Sequence, residues 1–159
     1  MAKRQVFALY ICVGFLLFSC HFHHRWTEKE KAGFAKKCTE TDTSKGLNFS
    51  VTGFAGDEIK SIHILHFKNN ALIDSMDIYP EENFYDSIRL RRDWYIGAEI
   101  TLSDTYKFII NGHKPYTLSY IALAIHPQFT MVSENYGCSI KSFMLDGVIH
   151  EDGVIDLKK

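Results

Sequence analysis

Residues 47–52 read Leu-Asn-Phe-Ser-Val-Thr, with Leu47, Phe49 and Val51 alternating against Asn48, Ser50 and Thr52. Successive side chains of a strand point to opposite faces, so this stretch predicts a strand with one apolar and one wet face. The same period recurs down the chain. Residues 59–67 are apolar on both faces, as in a central strand, and Asn69-Asn70 makes a hairpin turn into a strand over 72–79. Pro80 to Asn83 turns the chain again. Phe84, Ile88 and Leu90 then face one way and Tyr85, Ser87, Arg89 and Arg91 the other. Ile100 and Leu102 read as a short strand. Tyr106, Phe108 and Ile110 alternate up to a stop at Asn111-Gly112. Residues 116–125 are the longest apolar strand. Residues 139–145, Asp146-Gly147 and 148–150 read as a hairpin, and Asp152-Gly153 turns into a last strand over 154–157.

About eight short strands with turn residues between them predict a mainly β fold, an antiparallel sandwich or barrel. No crossover-helix pattern interrupts them, which argues against a parallel α/β sheet. The succession is loosely similar to transthyretin-like and immunoglobulin-like sandwiches. That likeness implies an architecture and carries no activity.

Working back from residue 47, residues 39–46 are polar and read as a linker. Before them, Thr27 and Glu30 fit a capping box, which predicts a short helix from Glu28 to about Cys38. Phe34 and Cys38 then share a face four residues apart, suited to packing the helix on the domain. Gly33 weakens it.

The first twenty residues have a different character. Lys3 and Arg4 form a positive head, residues 6–18 are an apolar run broken only by Gly14, and Ser19-Cys20 closes the segment. This is the layout of a secretory signal peptide. A helix over residues 6–18 would reach roughly 20 Å, short of the about 30 Å hydrocarbon core of a bilayer. The alternative reading is an uncleaved anchor helix. Leu17-Phe18-Ser19-Cys20 resembles the lipobox of bacterial lipoproteins, with Phe18 bulkier than the commonest occupant of its position. The resemblance implies a thioether-linked diacylglyceryl group on Cys20, cleavage between Ser19 and Cys20, and acylation of the new amino group. The thiol is the nucleophile that takes the lipid, and two or three acyl chains anchor stably where one is marginal. No acidic residue closely follows Cys20. By the sorting rules of the family, this implies a place in the bacterial envelope, on the outer membrane and facing the periplasm. The expected division is a signal peptide over 1–19, a lipidated tether and helix over 20–46, and a β domain over 47–159.

Residues 20–159 suffice for one domain with a real core and hardly for two. The formal charge of the whole chain is -1, and loss of Lys3 and Arg4 lowers it further, so nothing suggests a nucleic-acid partner. Of the four cysteines, Cys12 lies in the signal and Cys20 takes lipid. Cys38 and Cys138 remain. In an oxidising compartment they are expected to form a disulfide, the alternative being two buried thiols. A zinc site would need further ligands close by, and none flanks either cysteine.

The residues that could carry chemistry are few. His21, His23 and His24 follow the anchor and read as a hydrated tether rather than a metal site. His63 and His66 fall on opposite faces of one strand and should not share an ion. Glu81-Glu82 sits in a turn after Pro80, a poor setting for an acid/base pair. No nucleophile elbow, phosphate loop or HExxH motif occurs, and no cofactor is implied. Arg89 and Arg91, two apart on a strand, with Arg92 and Trp94 following, are the most site-like group. They could grip a carboxylate, a phosphate or a glycan, or be a charged strand edge protected from aggregation. Tyr116, Tyr120 and Tyr136 could line a groove or be core and rim aromatics. The favoured function is a non-catalytic binding module, held at the membrane by its lipid and receiving an envelope protein partner. A periplasmic inhibitor or immunity lipoprotein and an envelope hydrolase are the alternatives.

Overall fold

The strand over residues 47–52 proves longer than its alternation. In the computed structural model, which describes residues 25–54, 58–80, 91–129 and 134–159, it runs as β1 from Thr43 to Thr52. The linker expected over 39–46 is therefore shorter, and its second half is already strand. β1 is the middle of a three-stranded sheet. It pairs antiparallel with β4 (Arg91–Thr101) and parallel with β9 (Asp156–Lys158). A second sheet has six strands in the order β3-β2-β5-β6-β7-β8. Its members are β2 (Ile62–Lys68), β3 (Ala71–Ile78), β5 (Thr105–Ile110), β6 (Tyr116–Phe129), β7 (Glu134–Leu145) and β8 (Val148–His150). The two sheets do not close into a barrel. The fold is mainly β and sandwich-like, with one short helix.

Alternation sets what lies between the sheets. β1 contributes Leu47, Phe49 and Val51; β5 contributes Tyr106, Phe108 and Ile110. Ile62, Ile64, Leu118, Phe143, Ile155 and Leu157 complete the centre of the core. Phe49 and Phe108 meet across the interior with ring centres 5.0 Å apart.

Turn residues fall where the sequence puts them. Asn69 and Asn70 both have positive φ (50° and 65°), as a two-residue hairpin between right-twisted strands demands. Asp146 and Gly147 join β7 to β8 with the same signs. Other boundaries move. Ile59 is buried, yet β2 starts only at Ile62, because the amides of Lys60 and Ser61 donate to Asn111 Oδ1 (2.8 and 3.2 Å) instead of to a ladder. The short strand expected around Ile100 and Leu102 is the end of β4, and Leu102 lies in the turn beyond it. There the Tyr106 hydroxyl accepts from Thr101 N (2.9 Å) and donates to Thr101 O (3.2 Å). Burial raises the Tyr106 phenol above its ordinary value. β6 kinks where Tyr120 takes φ 52° and the register with β7 slips between Ser119 and Ala122. The expected strand around Phe84 to Leu90 lies outside the described residues.

The capping box forms as expected. Thr27 N donates to Glu30 Oε2 (2.7 Å) and Glu30 N to Thr27 Oγ1 (3.3 Å), opening α1 (Glu28–Thr39). Acids in its first turn and Lys36 and Lys37 in its last suit the helix dipole. The helix packs on β6 and β7 and is bonded covalently to the latter, with Cys38 joined to Cys138 at an Sγ–Sγ distance of 2.02 Å.

Candidate functional site

The seam between the two sheets is open on the side where residues 150–158 cross from β8 to β9. Two clefts lie along it, and both include Asp152.

The first, about 570 Å³, is lined by Tyr116, Phe143, Asp146, His150, Asp156 and Lys158 among others. Its polar groups hold the fold together. The Tyr116 hydroxyl donates to Lys158 O (2.6 Å), and Thr117 N donates to Asp146 Oδ1 (2.7 Å). Thr52 Oγ1 donates to Asp156 Oδ1 (2.7 Å). The His150 imidazole lies flat on Phe143, with centres 5.1 Å apart and planes 5° off parallel. Burial, then the nearby Asp146 charge, raises the Tyr116 phenol. These carboxylates tie strand ends and are not free acids.

The second cleft, about 510 Å³, is more open to ligand chemistry. Lys45 and Asn48 come from β1, Tyr95 from β4, His126 and Gln128 from β6, Ser139 from β7. Tyr95 is the exposed aromatic of β4, at 59 %. Its hydroxyl donates to Lys45 O (3.2 Å), and its ring lies over Gly46. Gly46 has φ 94°, and a Cβ there would collide with that ring. The glycine thus permits both a β1 bulge and a ring held flat against the backbone. Gly153 has φ 68°, and a Cβ on it would meet Ile140 O. The turn at 152–153 therefore sits hard against β7, and Val154 N donates to Asp152 Oδ1 (3.1 Å) within it. The Ser44 hydroxyl donates to Gly46 O (3.0 Å), which turns it to backbone support rather than nucleophilic attack.

The residues singled out from sequence fare differently. Trp94 points between the sheets and stacks on Phe49 (6.5 Å, 15°), and Arg92 beside it is buried. Arg91 opens β4 opposite Thr52, and Arg89, like Cys20, His21, His23 and His24, lies outside the described residues. Tyr95, one residue on, carries the exposed aromatic surface. His63 and His66 take opposite faces, as their spacing requires. His63 Nδ1 bonds Asp77 Oδ1 at the surface (2.7 Å). His66 Nε2 bonds the buried Asp104 (2.8 Å) and stacks on Tyr106 at 4.5 Å. Among the described residues no group of three or more His, Cys, Asp or Glu is arranged to hold a metal ion. Tyr136 belongs to a separate aromatic group, 5.1 Å from Trp26, which in turn lies 5.6 Å from Phe34.

No family model, no curated protein and no solved structure matches this chain.

Proposed function

We propose that the protein is a lipid-anchored lipoprotein of the bacterial envelope, tethered through Cys20, that binds its partner without chemistry. Its receiving surface is the cleft beside Tyr95. One observation supports this choice above the rest. An exposed aromatic ring is fixed flat at the mouth of a cleft whose other polar groups include the neutral hydrogen-bonding side chains of Asn48, Gln128 and Ser139 beside Lys45, His126 and Asp152. A rigid aromatic plate with adaptable polar neighbours suits a polar, largely uncharged ligand surface, a glycan or an extended peptide. Tethering raises the local concentration of that surface at the membrane.

The test is a crosslinking pull-down of the full-length protein from its own envelope, beside Cys20→Ser and Tyr95→Ala variants. The proposal expects one dominant partner, lost in Tyr95→Ala and depleted in Cys20→Ser. A partner retained at full yield in Tyr95→Ala would exclude the cleft. A Cys20→Ser protein still processed and lipid-labelled as the wild type is would exclude the anchor.

A further inference from the structure

The end of the domain nearest the anchor carries an aromatic cluster and, beyond it, one exposed ring. Trp26 packs edge-on against Tyr136, and Lys31 Nζ sits 5.4 Å from the Tyr136 ring centre. Tyr136 is the third residue of β7, opposite Pro127, and Phe129 of β6 pairs with Glu134. Positions 127, 129, 134 and 136 share one face of this hairpin by alternation. The hydrogen bond from the Tyr136 hydroxyl to Glu134 Oε1 confirms it for the last two. Phe129 therefore lies on the face that receives Trp26, further along the hairpin, and at 76 % it is the most exposed large apolar side chain described.

Chain length says what lies near this end. Six residue steps separate Cys20 from Trp26, and an extended chain spans at most about 3.3–3.6 Å per step, so the two are within about 20 Å. Trp26 is held against Tyr136 by packing, and α1 is bonded to β7 through Cys38 and Cys138. A bilayer holding the Cys20 lipid thus begins within about 20 Å of the hairpin end, nearer than the opposite end of β7 lies to the lipid. Tryptophan and tyrosine favour the interface between headgroups and acyl chains, and a basic residue beside them favours it further.

We propose that Phe129, with Trp26 and Tyr136 beside it, is a second membrane contact that fixes the orientation of the domain on the bilayer. This rests on the reading of Cys20 as the lipid anchor. The lipid alone would leave the domain free to tumble on its tether. The aromatic contact turns the hairpin end down, so that β8 and the β7–β8 turn stand away from the membrane.

The experiment uses full-length protein, purified from its envelope and reconstituted into vesicles of phosphatidylethanolamine and phosphatidylglycerol with brominated upper acyl chains. Two tryptophan probes are compared with the wild type, Phe129→Trp and Ile149→Trp. Ile149 is also exposed, at 66 %, but pairs with Met144. Met144 is eight positions along β7 from Tyr136, about 27 Å at a strand's rise per residue. The proposal expects the emission added by Phe129→Trp to be lost in brominated vesicles and that added by Ile149→Trp to persist. Equal quenching at both positions, or none at 129, would overturn it. Intact mass reads the anchor separately. Acylated Cys20 without quenching at 129 removes the contact and keeps the anchor. Quenching at 129 with unmodified Cys20 removes the anchor and keeps the contact. Failure of both readouts removes both.

Discussion

Helix α1 and strand β9 tie the two ends of the described chain to the sandwich by different means. α1 joins the six-stranded sheet through one covalent bond, Cys38 to Cys138, and an aromatic cluster of Trp26, Phe34 and Tyr136. Most of its surface is exposed, and Cys38 is its one buried residue. β9 joins the three-stranded sheet through a three-residue parallel ladder, and Ile155 and Leu157 are wholly inside. A helix with so small an apolar face could not hold itself on the domain by burial alone, because little area leaves water. The disulfide supplies the attachment instead. β9 has the opposite economy, since removing it would open the core. The N-terminal tie is local and covalent, and the C-terminal tie completes the core.

Substitutions can break this contrast in order of size. Replacing Cys38 and Cys138 by serine together should lower stability by up to about 4.7 kcal/mol, the chain-entropy value for a loop near 100 residues. Denaturant unfolding of the Cys20→Ser background measures it. The same variant should expose α1 to protease while β9 stays protected; protection of both would mean that burial holds the helix after all. Leu157→Ala should cost about 2–5 kcal/mol for the lost side chain and the cavity left behind, with the disulfide intact. A loss below about 1 kcal/mol would mean that β9 is an ornament on the sheet. Thr27→Ala removes the Glu30 N acceptor and should cost about 1 kcal/mol, seen only while the disulfide holds the helix in place.

The smallest effect is alkaline and touches neither tie. Tyr106 titrates above its ordinary value in the folded protein because its charged form is penalised by burial. A raised folded value means that the folded state holds the proton more tightly. The contribution is therefore complete below the ordinary tyrosine value of about 10 and lost as pH rises through the folded value. Tyr106→Phe should be less stable at neutral pH, by about 1 kcal/mol for the lost hydrogen bonds, with a flatter decline in alkali. Parallel declines in the two proteins would assign the alkaline loss elsewhere.

Much of this architecture was legible because β-strands announce themselves by alternation. β3, β5 and β8 stand where the pattern puts them, and the capping box at Thr27 and the cysteine pair were both readable. Three things were not. The partner of β9 was hidden, since a parallel pairing across the sandwich leaves no turn between the strands to read. The edge of β2 was hidden because a distant side chain, Asn111, takes the amides that would have extended it. Which of Trp94 and Tyr95 meets water was hidden, because a one-residue choice of register decides it; Tyr95 is the exposed one. The cleft itself draws on residues from 44 to 153, and no local motif links them.

The measurement that tests the account most directly is the intact mass and N-terminal sequence of the protein recovered from its native membrane. A chain that begins at Cys20, heavier than its sequence by a diacylglyceryl group and one further acyl chain, is the expected result. An unmodified Cys20, or a chain that still begins at Met1, would contradict it.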